Sequence, residues 1–483
     1  MNYKLVIRML GTILILEAAL MLPSLAISLC CGAEDALALT LAALITLAAG
    51  LPMRLLAKPE SKNLRAREGF VIVGLAWLAM SLFGALPFLF SGFLPDFFDA
   101  LFESVSGFTT TGATMITDFS HMPMGVTFWR SFTHWIGGMG VLVLTLAIVP
   151  QFTGRNAFLV LAESLGPSLS KVAPKMRDSS KILYLIYAVL SLLMFVALLF
   201  CGLNPYDAAI QMMGTAGTGG FSNYAASVGA FNSPAVEIVV TVFMTVFGMN
   251  LSLFYALAIG RWRDLVRSEE LRWYLLINLG AVLIFLTQML PLPEYNWDFG
   301  KTLRHACFQT ATISSTSGFG IADLNVWPIA MKTVIVVLMF CGSCTGSTAG
   351  GMKTMRIALL FKQSKREIQH TFSPRRVNVV RFEGRGVDEK MLHQICVFGI
   401  VYAALVVLGG VIVSFEGHFD LETNFSAALT CISNVGPGFG GVSGSFAGYG
   451  SFSKVIFSML MLAGRLEIFP ILILFHPNVW RGA

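Results

Sequence analysis

Four stretches of this sequence read alike, and they constrain the fold more than any other feature: DALFESVSGFTTTGAT at Asp99–Thr114, DAAIQMMGTAGTGGFS at Asp207–Ser222, HACFQTATISSTSGFG at His305–Gly320 and FSAALTCISNVGPGFG at Phe425–Gly440. Each begins with a segment able to form about three helical turns, too short to cross a membrane. Each ends in a run of Thr, Ser and Gly that no lipid-facing helix would choose. Apolar stretches of about 20 residues, enough for roughly 30 Å of hydrocarbon, flank every copy. Non-helical backbone at membrane depth survives only where protein or water covers it. Four such loops, entering from one side, are satisfied most economically by converging on one axis. The expected fold class is all-α transmembrane: four pseudo-symmetric helix–pore-loop–helix repeats around one pore, plus two N-terminal spans.

Composition agrees. The chain is 55% hydrophobic and 12% charged, against about 25% charged for a soluble domain. Spans are expected at 5–29 and 36–56, then at 69–92 and 131–150, 181–202 and 235–260, 272–292 and 328–362, and 391–414 and 453–476 for the four repeats. The first is too long for a secretory leader and is read as retained. Division follows the repeats: 1–67 for the N-terminal pair, then 68–154, 155–264, 265–370 and 371–483. Basic residues gather in alternate loops: Arg54 to Arg67, Arg155 to Lys181, Arg261 to Arg267, and the dense run from Lys362 and Arg366 through Arg375, Arg376, Arg381 and Arg385 to Lys390. The loops between them lean acidic, with Asp96 and Asp99, Glu294 and Asp298, and Glu416, Asp420 and Glu422. The positive-inside rule places the basic loops and both termini in the cytoplasm. Topology alone accounts for this alternation, so no nucleic-acid partner is expected.

Converging loops would turn backbone carbonyls into a shared pore, where they replace the water shell of a cation. Glycine suits such loops because φ > 0 is open to it. The short helix before each loop directs its negative dipole end at the axis. Hard oxygens without a ring of carboxylates fit a monovalent ion better than Ca²⁺. Cys341 and Cys344 form a CxxC, but no second pair or His cluster completes a zinc site. No nucleophile–base or metal constellation supports an enzyme.

The motifs TTTGAT, TGGFS, STSGFG and NVGPGFG, taken with their flanking spans, resemble the Trk/Ktr/HKT superfamily of potassium transporters over the whole chain. The resemblance implies K⁺ uptake across a bacterial inner membrane and K⁺ as the transported ion, with no organic cofactor in this chain. It also implies a homodimer and a cytosolic, nucleotide-binding (TrkA-like) regulatory ring. One filter glycine per repeat carries over to Gly112, Gly220, Gly318 and Gly436. The carbonyls before them belong to Thr110 and Thr111, Thr218 and Gly219, Thr316 and Ser317, and Asn434 and Val435. In the fourth repeat, ungapped alignment on GFG favours Gly438 over Gly436, and Pro437 departs from the other loops. Each loop keeps only part of the TVGYG pattern of potassium channels, so the filter is expected to be short, passing Rb⁺ and some Na⁺. A secondary transporter coupling K⁺ to H⁺ or Na⁺ is the alternative. Such carriers usually bury acidic residues at the midplane, and no acidic cluster stands in the spans beyond Glu467.

Two further features concern gating. GSCTGSTAGGMK, Gly342–Lys353, interrupts the second span of the third repeat. Each interior glycine costs a helix on the order of 1 kcal/mol relative to alanine, so a break is expected. The segment resembles the family's intramembrane gating loop, which brings in Gly342, Thr345, Gly346, Ser347, Gly350, Gly351 and Lys353. A phosphate-binding GxxxxGK[ST] reading fails because Met352 inserts one residue and no strand precedes. Arg465 lies near the middle of the last span, roughly 16 Å inward from Lys454 at 1.5 Å per residue, where a guanidinium is costly unless it meets polar groups. Glu467 is two residues away and does not share its helix face. The family's matching arginine implies that Arg465 points below the filter and bonds the interrupted helix. A buried pair with a neighbouring helix is the alternative.

Overall fold

The structure is a computed structural model and describes residues 1–32, 34–59, 66–140, 176–375 and 378–480. It is an all-α membrane fold. The described residues hold one short β-ladder, in which Arg381–Phe382 pairs with Arg385–Gly386. Among the described residues, six helices are long and apolar enough to cross a bilayer. Two of them, Tyr3–Cys30 and Ala36–Leu56, precede the repeats. They pack backbone to backbone: a Cβ on Gly11 would lie 2.6 Å from the Gly50 carbonyl, and one on Gly50 would lie 2.9 Å from that of Gly11. Small residues at a crossing allow this approach where lipid offers no hydrophobic drive.

The other four long helices each open a repeat: Glu68–Phe90, Ser180–Phe200, Glu269–Met289 and Glu389–Ser414. The short pore helices follow at Phe97–Phe108, Pro205–Ala216, Phe299–Ser314 and Leu421–Ser433. One capping device recurs in all four. The side chains of Asp96, Asn204, Asp298 and Asp420 accept backbone N–H groups from the first turn, satisfying donors a helix start leaves open. Hydrogen bonds from Thr423 hold the Asp420 carboxyl below the usual carboxylate range.

The second helix of each repeat departs from the expected spans. These helices run Met124–Gly138, Pro234–Gly248, Ile329–Cys341 and Ser451–Arg465, at 15, 15, 13 and 15 residues. At 1.5 Å per residue each is about 20 Å long, short of a full crossing. The expected span 131–150 is described only to Gly140, and 141–150 lies outside the described residues. The expected span 235–260 is two helices, bent by 93° between Gly248 and Leu251. Asn250 caps the new helix through Ser252 N at 2.9 Å, while the freed Gly248 carbonyl accepts from Cys344 N at 3.1 Å. The expected span 453–476 also breaks. After Arg465 the backbone turns left-handed at Glu467 (φ 55°) and Ile468 (φ 68°) before a further short helix, Phe469–Leu474. In the third repeat the helix stops at Cys341 and resumes at Thr354, as the Gly-rich run requires.

Candidate functional site

Every pore helix ends in the same way. Thr110, Thr218, Thr316 and Asn434 adopt φ of 54°, 55°, 57° and 54°. The next residue's N–H then reaches back into the helix: Thr111 to Ser106 O at 2.9 Å, Gly219 to Gly214 O at 2.9 Å, Ser317 to Thr312 O at 2.8 Å and Val435 to Thr430 O at 3.0 Å. This is the left-handed helix stop that glycine usually provides. A non-glycine residue there costs about 1–2 kcal/mol, which the repeats sustain at three threonines and one asparagine. The chain then turns left-handed again at Gly112, Gly220, Gly318 and Gly436, with φ of 84°, 75°, 71° and 102°. Gly438 has no such backbone, so in the fourth repeat it is Gly436 that matches the other three.

These four glycines form a closed ring. A Cβ on Gly112 would lie 1.9 Å from the Gly219 carbonyl oxygen, one on Gly220 1.8 Å from that of Ser317, one on Gly318 2.0 Å from that of Val435, and one on Gly436 2.6 Å from that of Thr111. Each repeat thus lies against the next, and the fourth returns to the first. The four glycines also line one cavity of about 420 Å³, walled by the chain that follows each loop. Hydroxyl pairs brace the loops from behind, Thr109 with Thr111 and Ser315 with Ser317, both at 2.8 Å. Asn434 Nδ2 joins the fourth loop to the first through Thr111 Oγ1 and to the last span through Met461 O, each at 2.9 Å.

The Gly342–Lys353 segment sits on the side where the chain leaves the pore helices. Gly350 N donates to Thr316 Oγ1 at 2.8 Å, and a Cβ on Gly350 would meet the Ser433 carbonyl at 2.4 Å. Gly342, Gly346, Gly351 and Lys353 all have positive φ, from 61° to 77°. The turn at Ser347 closes on Cys344 O, with its hydroxyl at 2.6 Å. Thr345 N donates to Glu270 at 2.6 Å, and Gly346 O accepts from Leu251 N at 3.2 Å. Lys353 is buried, with its ammonium on the Ala349 carbonyl. Arg465 gathers three elements at this level. It donates to Thr348 O at 2.6 Å, to Gly138 O at 2.7 Å and to Gly137 O.

Sequence reasoning named Glu467 without its partner and missed several other buried ionisable residues. Glu467 pairs with Arg356, whose guanidinium lies 4.1 Å from the Phe398 ring centre. Glu103 pairs with Arg130 at 2.6 Å behind the first loop. Glu17, on the first span, is buried and neither carboxylate oxygen has a hydrogen-bond partner among the described residues. An ionisable residue within an apolar segment was the available signal for each.

A family model described as TrkH, cation transport protein, matches residues 35–481. The Trk system potassium uptake protein TrkH of Halomonas elongata is 35% identical, with 100% of each chain covered. The protein of the same name from Escherichia coli K12 is 33% identical, again with 100% of each covered. The crystal structure of the potassium transporter TrkH from Vibrio parahaemolyticus superposes with a TM-score of 0.90 at 31% identity, covering 100% of both chains.

Proposed function

The chain belongs to the TrkH family of cation transport proteins, and from that premise we propose that it is the pore subunit of a potassium-uptake system, passing K⁺ down its electrochemical gradient across a bacterial inner membrane. The observation that carries this reading is the closed ring at Gly112, Gly220, Gly318 and Gly436. Its carbonyls, together with Thr110, Thr111, Thr218, Gly219, Thr316, Ser317, Asn434 and Val435, form the selectivity filter. Thr110 Oγ1 is buried without a hydrogen-bond partner among the described residues. Four pore helices end at the ring, each contributing about half a negative charge by its dipole. Gly342–Lys353 and Arg465 form the gate, both termini are cytoplasmic, and the repeat division given above stands as the domain plan.

Purified protein in liposomes with K⁺ inside and Na⁺ outside tests the function directly. A reversal potential set by K⁺ is expected, and one midway between the two ions removes the selectivity claim. Glu17, a buried carboxyl group without a hydrogen-bond partner among the described residues, favours proton coupling as a second reading. That reading requires the reversal potential to follow an imposed pH gradient.

The partner proposed is a homodimer bearing a cytosolic nucleotide-binding ring of the TrkA-like kind. Part of the basic run is already neutralised within the chain, Lys362 by Glu269 and Arg366 by Glu389. Arg375 is exposed, while Arg376 and the 155–175 part of the basic loop lie outside the described residues. Charge reversal at Arg375 and Arg376 is expected to lower co-purification with an acidic ring at low salt. Retention equal to the parent's would show that these charges serve topology only.

A further inference from the structure

Among the described residues the ring has one charged brace, and it joins the first two repeats. Glu103 lies in the first pore helix and is wholly buried. The same place in the second and third pore helices is held by the neutral Gln211 and Gln309. Glu103 accepts from Thr114 Oγ1 at 2.9 Å and from Met115 N at 2.8 Å, both just beyond Gly112. Its partner Arg130, on the following helix, donates to it at 2.6 Å and to the Ser222 carbonyl at 2.9 Å. Ser222 stands in the second loop as Thr114 does in the first. The guanidinium also lies 3.5 Å from the Phe221 ring centre. In the second repeat, Gln211 reaches Ser222 Oγ at 3.0 Å, a neutral version of the Glu103–Thr114 contact. Thr114 O in turn accepts from Phe446 N of the fourth repeat at 2.8 Å.

We propose that Glu103 and Arg130 are positioning residues for ion selectivity, a two-armed brace that fixes the distance between the first and second loops at the outer side of the ring. The inference rests on the pore reading above. Arg130 lines the cavity outside the ring, so a cation on the K⁺ path is tolerated because Glu103 neutralises it. A purely structural pair would set stability alone. A brace sets where the Gly112 and Gly220 carbonyls stand, because one arm ends beyond each.

The test compares Glu103→Gln, Arg130→Lys and Thr114→Val in liposomes, with folded protein quantified by size-exclusion profile. Glu103→Gln removes the neutralising charge. Arg130→Lys keeps the charge but cannot hold both arms, since an ammonium lacks the planar fork. Thr114→Val is isosteric, leaves the ion pair in place, and loosens only the first arm. The first two are expected to lower the K⁺ over Na⁺ permeability ratio about tenfold, the scale of one charge-assisted hydrogen bond, and Thr114→Val by less. If the first two do not fold, the ratio of Thr114→Val decides. Parental ratios in every variant that folds would overturn the brace while leaving the pore reading intact. A parent chain without K⁺ preference would instead overturn the pore reading.

Discussion

Alanine at Gly112, Gly220 or Gly318 is expected to abolish the preference for K⁺ over Na⁺, lowering the permeability ratio by at least about tenfold, because the change moves carbonyls of two repeats at once. Two effects act together. The left-handed backbone costs a side-chain-bearing residue about 1–2 kcal/mol. The added Cβ would also lie 1.8–2.0 Å from a carbonyl oxygen of the next repeat, well inside van der Waals contact, so that carbonyl must shift. The substituted repeat distorts its own carbonyls and its neighbour's. At Gly436 the same distance is 2.6 Å, so Gly436→Ala should be the mildest of the four. Reversal potentials under K⁺ and Na⁺ gradients give the ranking. Unchanged ratios at Gly112, Gly220 and Gly318 would remove the filter assignment.

Loss of Arg465 is expected to raise flux. Its guanidinium donates to the Thr348 carbonyl on the interrupted segment and to the last carbonyls of the Met124–Gly138 helix. It therefore ties the first, third and fourth repeats together at the level where the pore helices end. A fixed positive charge there repels K⁺, by one to a few kcal/mol at protein-like dielectric, so Arg465→Ala should increase K⁺ flux per protein about tenfold. Deleting part of Thr345–Gly350 should also raise flux. If the two are one gate, the double variant shows less than the combined gain. Flux in liposomes normalised to folded protein separates the cases. Lower folded yield without faster flux would give Arg465 a packing role, and independent gains would mean two barriers.

The repeat architecture was legible because each loop is chemically implausible for a lipid-facing helix, and four implausible segments at matching places have one common explanation. The family follows from the same residues. Less legible were the second helices. Gly248 and Asn250 in a run such as VFMTVFGMNLSLF look like ordinary interruptions, and the bend there is settled by tertiary bonds from Cys344 and to Gly346. The break after Arg465 carries no glycine or proline within it. It places Glu467 and Ile468 in conformations that neither residue favours, which only the surrounding packing can impose. At the loops, sequence left Gly436 and Gly438 open. The helix ends and ring glycines match in all four repeats, but in the fourth Pro437 and Gly438 stand between the ring glycine and the Phe–Gly pair. An ungapped alignment on GFG is therefore two residues out of step at the ring. Glu103 and Arg130 were missed, although an ionisable residue in an apolar segment was the available signal, and nothing in the sequence announced their pairing.

A ring assembled from a single polypeptide has a genetic consequence that a ring of identical subunits lacks. In a homotetramer every substitution appears at all four positions, so intermediate ion preferences are reached only by changes tolerable fourfold. Here one codon alters one quadrant. The four loops have already diverged, with Thr, Gly, Ser and Val at the residue before the ring glycine. Mutational paths can thus cross small steps in selectivity that a symmetric channel must take in one leap. The same property makes the chain its own dosage series, in which one, two or three altered quadrants are written directly into a single gene.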